Sequence, residues 1–192
     1  MPFGSTWSEE LVAEWLDLEG YFVKMQIPAG SAGSGGRYAP DIVGVRFEND
    51  ELEILHVEVG MSFDKWEKAE KRLKKKFSRE IEESITNYVL EKLGLSKNTK
   101  INYRRLVVSL HHPKEALKKI EEENLAEIMF IQDVIDEILT GIETGKYRSY
   151  ESKIKNPTLP NHLWLAKMLE NIHESYELKR KEKSKHNKKL ET

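Results

Sequence analysis

Glu58 stands where a charged residue is hardest to accommodate. Residues 40–60, P-D-I-V-G-V-R-F-E-N-D-E-L-E-I-L-H-V-E-V-G, read as two strands and a tight turn. Ile42 to Phe47 is apolar at nearly every position, Glu48-Asn49-Asp50-Glu51 is the turn, and Leu52 to Val59 alternates. Side chains in a strand repeat every second residue. Leu52, Ile54, His56, Glu58 and Gly60 therefore share one face, and Leu55, Val57 and Val59 the other. This places Glu58 among apolar neighbours in a strand with the character of a central one. A carboxylate there needs a cation or hydrogen bonds. An edge position, or a lysine from a covering helix, would satisfy it. So would a metal ion, because Asp41 opens the neighbouring strand, and two carboxylates across a hairpin can hold Mg²⁺ while leaving part of its water shell free.

The remaining segments supply a layered domain around this hairpin. Ser5 to Glu19 has helical spacing, with Ser5 or Thr6 as cap, Glu9 in capping-box position, Val12, Trp15, Leu16 and Leu18 as the apolar side, and Gly20 as stop. Glu9 falls on or beside the inward face, and Glu10 and Glu14 point further round. Tyr21 to Ile27 is a first strand. Asp64 caps a helix that runs toward Gly94, with a break expected near Phe77-Ser78. Ile101 to His111 and Leu125 to Ile131 read as strands, and Pro113 to Asn124, Asp133 to Thr144 and Leu163 to about Lys183 as helices. Trp164 and Leu163 are expected in the core. The order α-β-β-β-α-β-α-β-α-α predicts an α/β fold, a mixed central β-sheet flanked by helices with additional C-terminal helices. The expected division is residues 1–145 as the main domain and 146–192 as a helical extension with a basic tail.

Composition narrows the chemistry. The chain has 192 residues and no cysteine, which excludes disulfides, thiolate nucleophiles and Cys-based zinc sites. No signal peptide and no bilayer-length apolar run is present, so a soluble, cytoplasmic protein without a membrane partner is expected. Lys and Glu dominate, and Gln26 and Gln132 are the only glutamines, a balance that leans toward a thermophile. The net charge of −2 hides segregation: residues 64–79 hold eight basic against three acidic residues, and 179–189 seven against one. Solvated helix faces account for such runs, and so does an anionic partner such as nucleic acid. Residues 28–36, P-A-G-S-A-G-S-G-G, form either a passive connection or a loop that orders on a polyanion, with Arg37 at its end. The phosphate-loop pattern G-x-x-x-x-G-K-[ST] is absent.

Four pieces recur together in a known order: "EELVAEWLDLEGYFV", "PAGSAGSGG", "PDIVGV" and a hairpin into "HVEVG". With sixteen residues between Asp41 and Glu58, the set resembles the PD-(D/E)XK, or restriction-endonuclease-like, nuclease superfamily, and within it archaeal Holliday-junction resolvases. The resemblance covers roughly residues 7–60 and implies a DNA endonuclease dependent on Mg²⁺ or Mn²⁺, with branched or structured DNA as one class of substrate. It implies Glu9 as the helix glutamate near the metal, Asp41 as the principal metal ligand, Glu58 as the acid of the third motif, and the Val59 carbonyl as a further oxygen. Arg37, Lys71, Lys74 and Lys75 are the expected DNA contacts, and a homodimer is one expected arrangement.

One position departs from the pattern. The family lysine belongs two residues after Glu58, where this chain has Gly60. Three outcomes stay open. A lysine from the following helix takes its place, Lys65 and Lys68 being nearest in sequence. Lys24 or His56 substitutes, although His56 reads first as an ordinary strand histidine. Or the site no longer cuts and the domain only binds DNA.

Overall fold

The computed structural model describes residues 6–29, 39–61, 66–111, 114–147, 159 and 162–190. Helix α1 (Trp7–Leu18) starts at Thr6, whose Oγ1 accepts the Glu9 N–H at 3.2 Å, and buries Leu11, Val12, Trp15 and Leu16. Strand β1 (Phe22–Met25) follows, then β2 (Ile42–Glu48) and β3 (Glu51–Val59). Asn49 and Asp50 join β2 to β3 with φ of 50° and 63°. Two consecutive left-handed residues make the two-residue hairpin turn whose twist matches its strands, and short Asn and Asp side chains tolerate it best.

The sheet has five strands in the order β1-β2-β3-β4-β5, with β4 at Ile101–Ser109 and β5 at Glu127–Phe130. β1, β2 and β3 are antiparallel neighbours, and β3, β4 and β5 are parallel. The α/β architecture is therefore a mixed sheet flanked by helices, and β3 is its middle strand. That position explains why β3 is buried from Leu52 to Val59.

Between β3 and β4 lie α2 (Trp66–Lys76) and α3 (Arg79–Leu93), separated at Phe77-Ser78 as the sequence predicts. Gly94 ends α3 at φ 65°. Leu52, Ile54, Val43 and Val45 pack with Ile81, Ile85 and Val89 of α3. Val107 packs with Leu73 of α2, Phe77, and Ile120 of α4 (Lys114–Glu122). The Glu58 face of the sheet is thus roofed by α2, α3 and α4. On the opposite face Tyr21 lies against Gly44, where a β-carbon would stand 2.9 Å from the Tyr21 ring, so only glycine fits.

That opposite face also carries a buried ion cluster. Glu53 accepts from Arg46 Nε at 2.7 Å, Arg104 Nη1 at 2.5 Å and Tyr21 OH at 3.1 Å. Burial alone would raise the Glu53 carboxyl, but the bonds from Arg104, Arg46 and Tyr21 outweigh it and hold it low. Tyr21 in turn is pushed up to about 12 by burial and by the Glu53 charge.

The chain divides into two compact units, Met1–Val134 and Ile135–Thr192. Most of α5 (Ile131–Thr144) and all of α6 (Trp164–Leu190) belong to the second. There the Leu159 N–H is held by Glu170 at 3.4 Å, and Leu163, Leu165 and Ala166 are buried. Trp164, in contrast to the expectation for it, is 48% exposed. It opens α6 on a line with the exposed Met168, Ile172 and Tyr176, each four residues on, while Leu163 points inward. No helix among the described residues is long and apolar enough to cross a membrane.

Candidate active site

The hairpin register builds the first half of the site. Ile42 pairs with Val57, so the next step along each strand brings Asp41 beside Glu58. The Val59 N–H donates to Asp41 Oδ2 at 2.9 Å, which pins the aspartate at the end of β3. The Asp41 side chain is 22% exposed, whereas that of Glu58 has no exposure at all.

The second half comes from α2. Ala69, Leu73 and Lys76 are its buried residues, spaced four and three apart along one helical stripe. Lys76 occupies the core position of the last turn, with a side chain only 3% exposed. Its Nζ donates to Asp41 Oδ1 at 3.1 Å, to the Ala39 carbonyl at 3.3 Å, and to Glu58 Oε2. One ammonium thus bridges both carboxylates.

Glu58 has a second partner. His56 Nε2 lies 3.0 Å from Glu58 Oε1, and His56 Nδ1 lies 3.0 Å from the Tyr103 hydroxyl. Burial, then the Asp41 charge, push the Glu58 carboxyl up to about 8 against the pull of Lys76. Burial, then the charges of Lys76 and Arg105, push the His56 imidazole down to about 3. Glu58 therefore keeps its proton to well above the usual carboxylate range even with Lys76 against it, and His56 is a neutral hydrogen-bonding ring.

This donor set suits a hard divalent ion. Asp41 and Glu58 are oxygen donors that converge on one point of positive charge, and Val59, whose N–H holds Asp41, carries a carbonyl at the same strand end. Two carboxylates with the remaining positions taken by water is the usual way Mg²⁺ is held. Among the described residues no group of three or more His, Asp or Glu is arranged to hold a metal ion. Glu9 is accordingly not gathered with Asp41 and Glu58 into one such group. It is half-buried in the first turn of α1, where its N–H is capped by Thr6.

The inward glutamates of α1 are Glu10 and Glu14, at 7% and 2% exposure. The two that were expected to point further round than Glu9 are thus the more buried ones. One residue along a helix is a rotation of about 100°, and Glu10 and Glu14 lie four apart on the Leu11 side.

The basic residues divide in three. Arg37 and Lys65, both singled out from sequence, lie outside the described residues. Lys68, Lys71 and Lys75 are on the exposed side of α2, and Lys74 is there too, paired with Glu70 at 2.6 Å and Glu123 at 2.7 Å. Lys24 is exposed on β1, opposite Val43. Lys76 was hidden from sequence reasoning inside the run Lys74-Lys75-Lys76. Its signal was the spacing from Ala69 and Leu73, which marks a lysine in a core stripe.

Gly60 has φ of 71°, so the chain leaves the strand direction there. A side chain at this position would not continue the Glu58 face. No protein-family profile and no curated protein sequence matches the chain.

Proposed function

We propose that this protein is a metal-dependent endodeoxyribonuclease with a PD-(D/E)XK-type site in which Lys76 of α2 takes the place of the missing strand lysine. The observation that carries this reading is the single ammonium of Lys76 on both Asp41 and Glu58. Asp41, Glu58 and the Val59 carbonyl are the residues that would hold Mg²⁺ or Mn²⁺. Such an ion, when bound, polarises the scissile phosphate and lowers the pKa of water. The chain's own contributions follow from geometry. Asp41 is the member of the site open to solvent, so DNA meets the site at Asp41. Lys76, whose three N–H groups go to Asp41, Glu58 and the Ala39 carbonyl, would turn the last of these to an attacking water beside Asp41 and offset negative charge gathering on the phosphate. The exposed Lys68, Lys71 and Lys75 would track the phosphate backbone and make binding salt-dependent.

Incubation with supercoiled, linear and four-way-junction DNA in Mg²⁺ or Mn²⁺ tests the proposal. Cleavage that disappears in Asp41→Ala is expected. No cleavage of any of the three DNAs, or cleavage unchanged in Asp41→Ala, would overturn it.

A second reading has one observation in its favour. Glu58 and Lys76 are closed off from solvent and already satisfy each other, which suits a domain that kept the fold and lost the reaction. It calls for salt-dependent DNA binding without cutting, and the same three DNAs separate the two.

A further inference from the structure

We propose that His56 and Tyr103 are positioning residues for this site, holding the Glu58 carboxylate in one orientation through a directed hydrogen-bond chain. The consequence for cleavage rests on the nuclease reading above. The chain itself does not.

Both oxygens of Glu58 are engaged, one by His56 and one by Lys76. In its ionised form, the form that would hold a metal ion, the Glu58 carboxylate only accepts hydrogen bonds, so His56 Nε2 then carries the hydrogen in the 3.0 Å contact with Oε1. Nδ1 of the neutral ring then has a lone pair, and the Tyr103 hydroxyl at 3.0 Å is the donor placed to fill it. The tautomer is thus set by Glu58 on one nitrogen and matched by Tyr103 on the other. Tyr103 reaches the ring from β4, where it pairs with Ile54, one strand position back on the same sheet face as His56. Phe77 sets the edge of the pair of rings, with centroids 4.8 Å apart and planes at 72°. Phe77 directly follows Lys76, so one helix end places both the ammonium and the ring that orients its carboxylate.

A satisfied core histidine would make the same bonds without affecting the site, and the experiment must separate the two roles. His56→Leu fills the space and removes the donor. His56→Gln keeps an N–H able to reach Glu58. Tyr103→Phe keeps the packing and removes the donor to Nδ1, so the ring is held only by its bond to Glu58.

The wild type is read first by ¹⁵N NMR of labelled histidine above pH 8, where Glu58 is ionised and the hydrogen is expected on Nε2 of His56. In His56→Leu, kcat for DNA cleavage should fall about 10- to 100-fold, with KM unchanged. Mn²⁺ affinity by calorimetry should fall alongside it. His56→Gln should recover most of both, and Tyr103→Phe should keep the hydrogen on Nε2 with kcat between wild type and His56→Leu. In a protein that binds Mn²⁺, three results overturn the proposal: a wild-type ring protonated only on Nδ1 above pH 8, a His56→Leu protein equal to wild type in kcat and Mn²⁺ affinity, or a His56→Gln protein as impaired as His56→Leu. A wild type that binds Mn²⁺ but cuts no DNA removes the nuclease reading alone, and the NMR and Mn²⁺ arms still decide the positioning. A wild type that neither cuts nor binds Mn²⁺ overturns both.

Discussion

Lys76 and Glu58 stand 18 residues apart in sequence and form an ion pair shut away from solvent, one at the end of a helix and the other near the end of the central strand. Breaking a buried pair by removing one partner strands the other charge and costs about 3–5 kcal/mol. Lys76→Met should therefore lower the unfolding free energy by about that amount in urea. The loss should be larger at pH 8.5 than at pH 5, because Glu58 takes up a proton at the lower pH and no longer needs the cation. A loss equal at both pH values would mean that the stranded carboxylate is not its source.

The pH profile of wild-type stability follows from the same groups. Glu58 moves from an ordinary 4.5 to about 8 on folding, so the native state keeps a proton that the unfolded chain has released. Its contribution is present below pH 4.5 and is lost as the pH rises through 8. His56 moves from 6.5 to about 3, so the unfolded chain binds the extra proton and stability is lost as the pH falls from 6.5 through 3. Between 4.5 and 6.5 the two slopes cancel. Urea midpoints should show a plateau in that interval and decline on both sides, by about 1.4 kcal/mol per pH unit for one proton. Stability that climbs steadily from pH 6.5 to 8 would contradict the Glu58 assignment.

Gly60 gives a prediction opposite to the one its motif position suggests. A β-carbon there meets Leu110 only at 3.7 Å and Ser8 at 4.0 Å, so space is available, but φ of 71° is a left-handed backbone. Gly60→Lys should cost about 1–2 kcal/mol through backbone strain. It should also fail to restore cleavage in a Lys76→Met background, because the backbone does not continue the Glu58 face. Recovery of activity in the double variant would show that the strand position can still serve.

The cluster around Glu53 should act on stability alone. Glu53→Ala leaves Arg46 and Arg104 facing each other across a gap and frees the Tyr21 hydroxyl. A loss of about 1–3 kcal/mol is expected, because Arg46 keeps Glu48 and Arg104 keeps Glu127, with the Mn²⁺ affinity of the folded protein unchanged. Weakened Mn²⁺ binding would tie this cluster to the site on the opposite sheet face.

The hairpin was open to sequence reading because two periodicities meet there. Alternation in Leu52–Val59 and the Asn49-Asp50 turn each set the register, and register alone brings Asp41 to Glu58. The break between α2 and α3 at Phe77-Ser78 was visible as well. Lys76 was not, since three consecutive lysines look like one solvated face. A helix turns about 100° per residue, so three neighbours cannot share a face, and Lys76 is the one aligned with Ala69 and Leu73. The same phase problem hid Glu10 and Glu14 behind Glu9. Trp164 failed for another reason: the line Trp164, Met168, Ile172 and Tyr176 marks one apolar helix face, but spacing does not say whether that face is covered.

The most direct measurement is the single-turnover rate of Mn²⁺-dependent cleavage for wild type, Lys76→Met and Lys68→Met, each first shown to be folded by circular dichroism. If Lys76 completes the nuclease site, its loss should slow cleavage by at least about 100-fold, while removal of the exposed Lys68 leaves the rate of chemistry unchanged. Equal rates for wild type and Lys76→Met, or a wild type that cuts no DNA, would contradict the account.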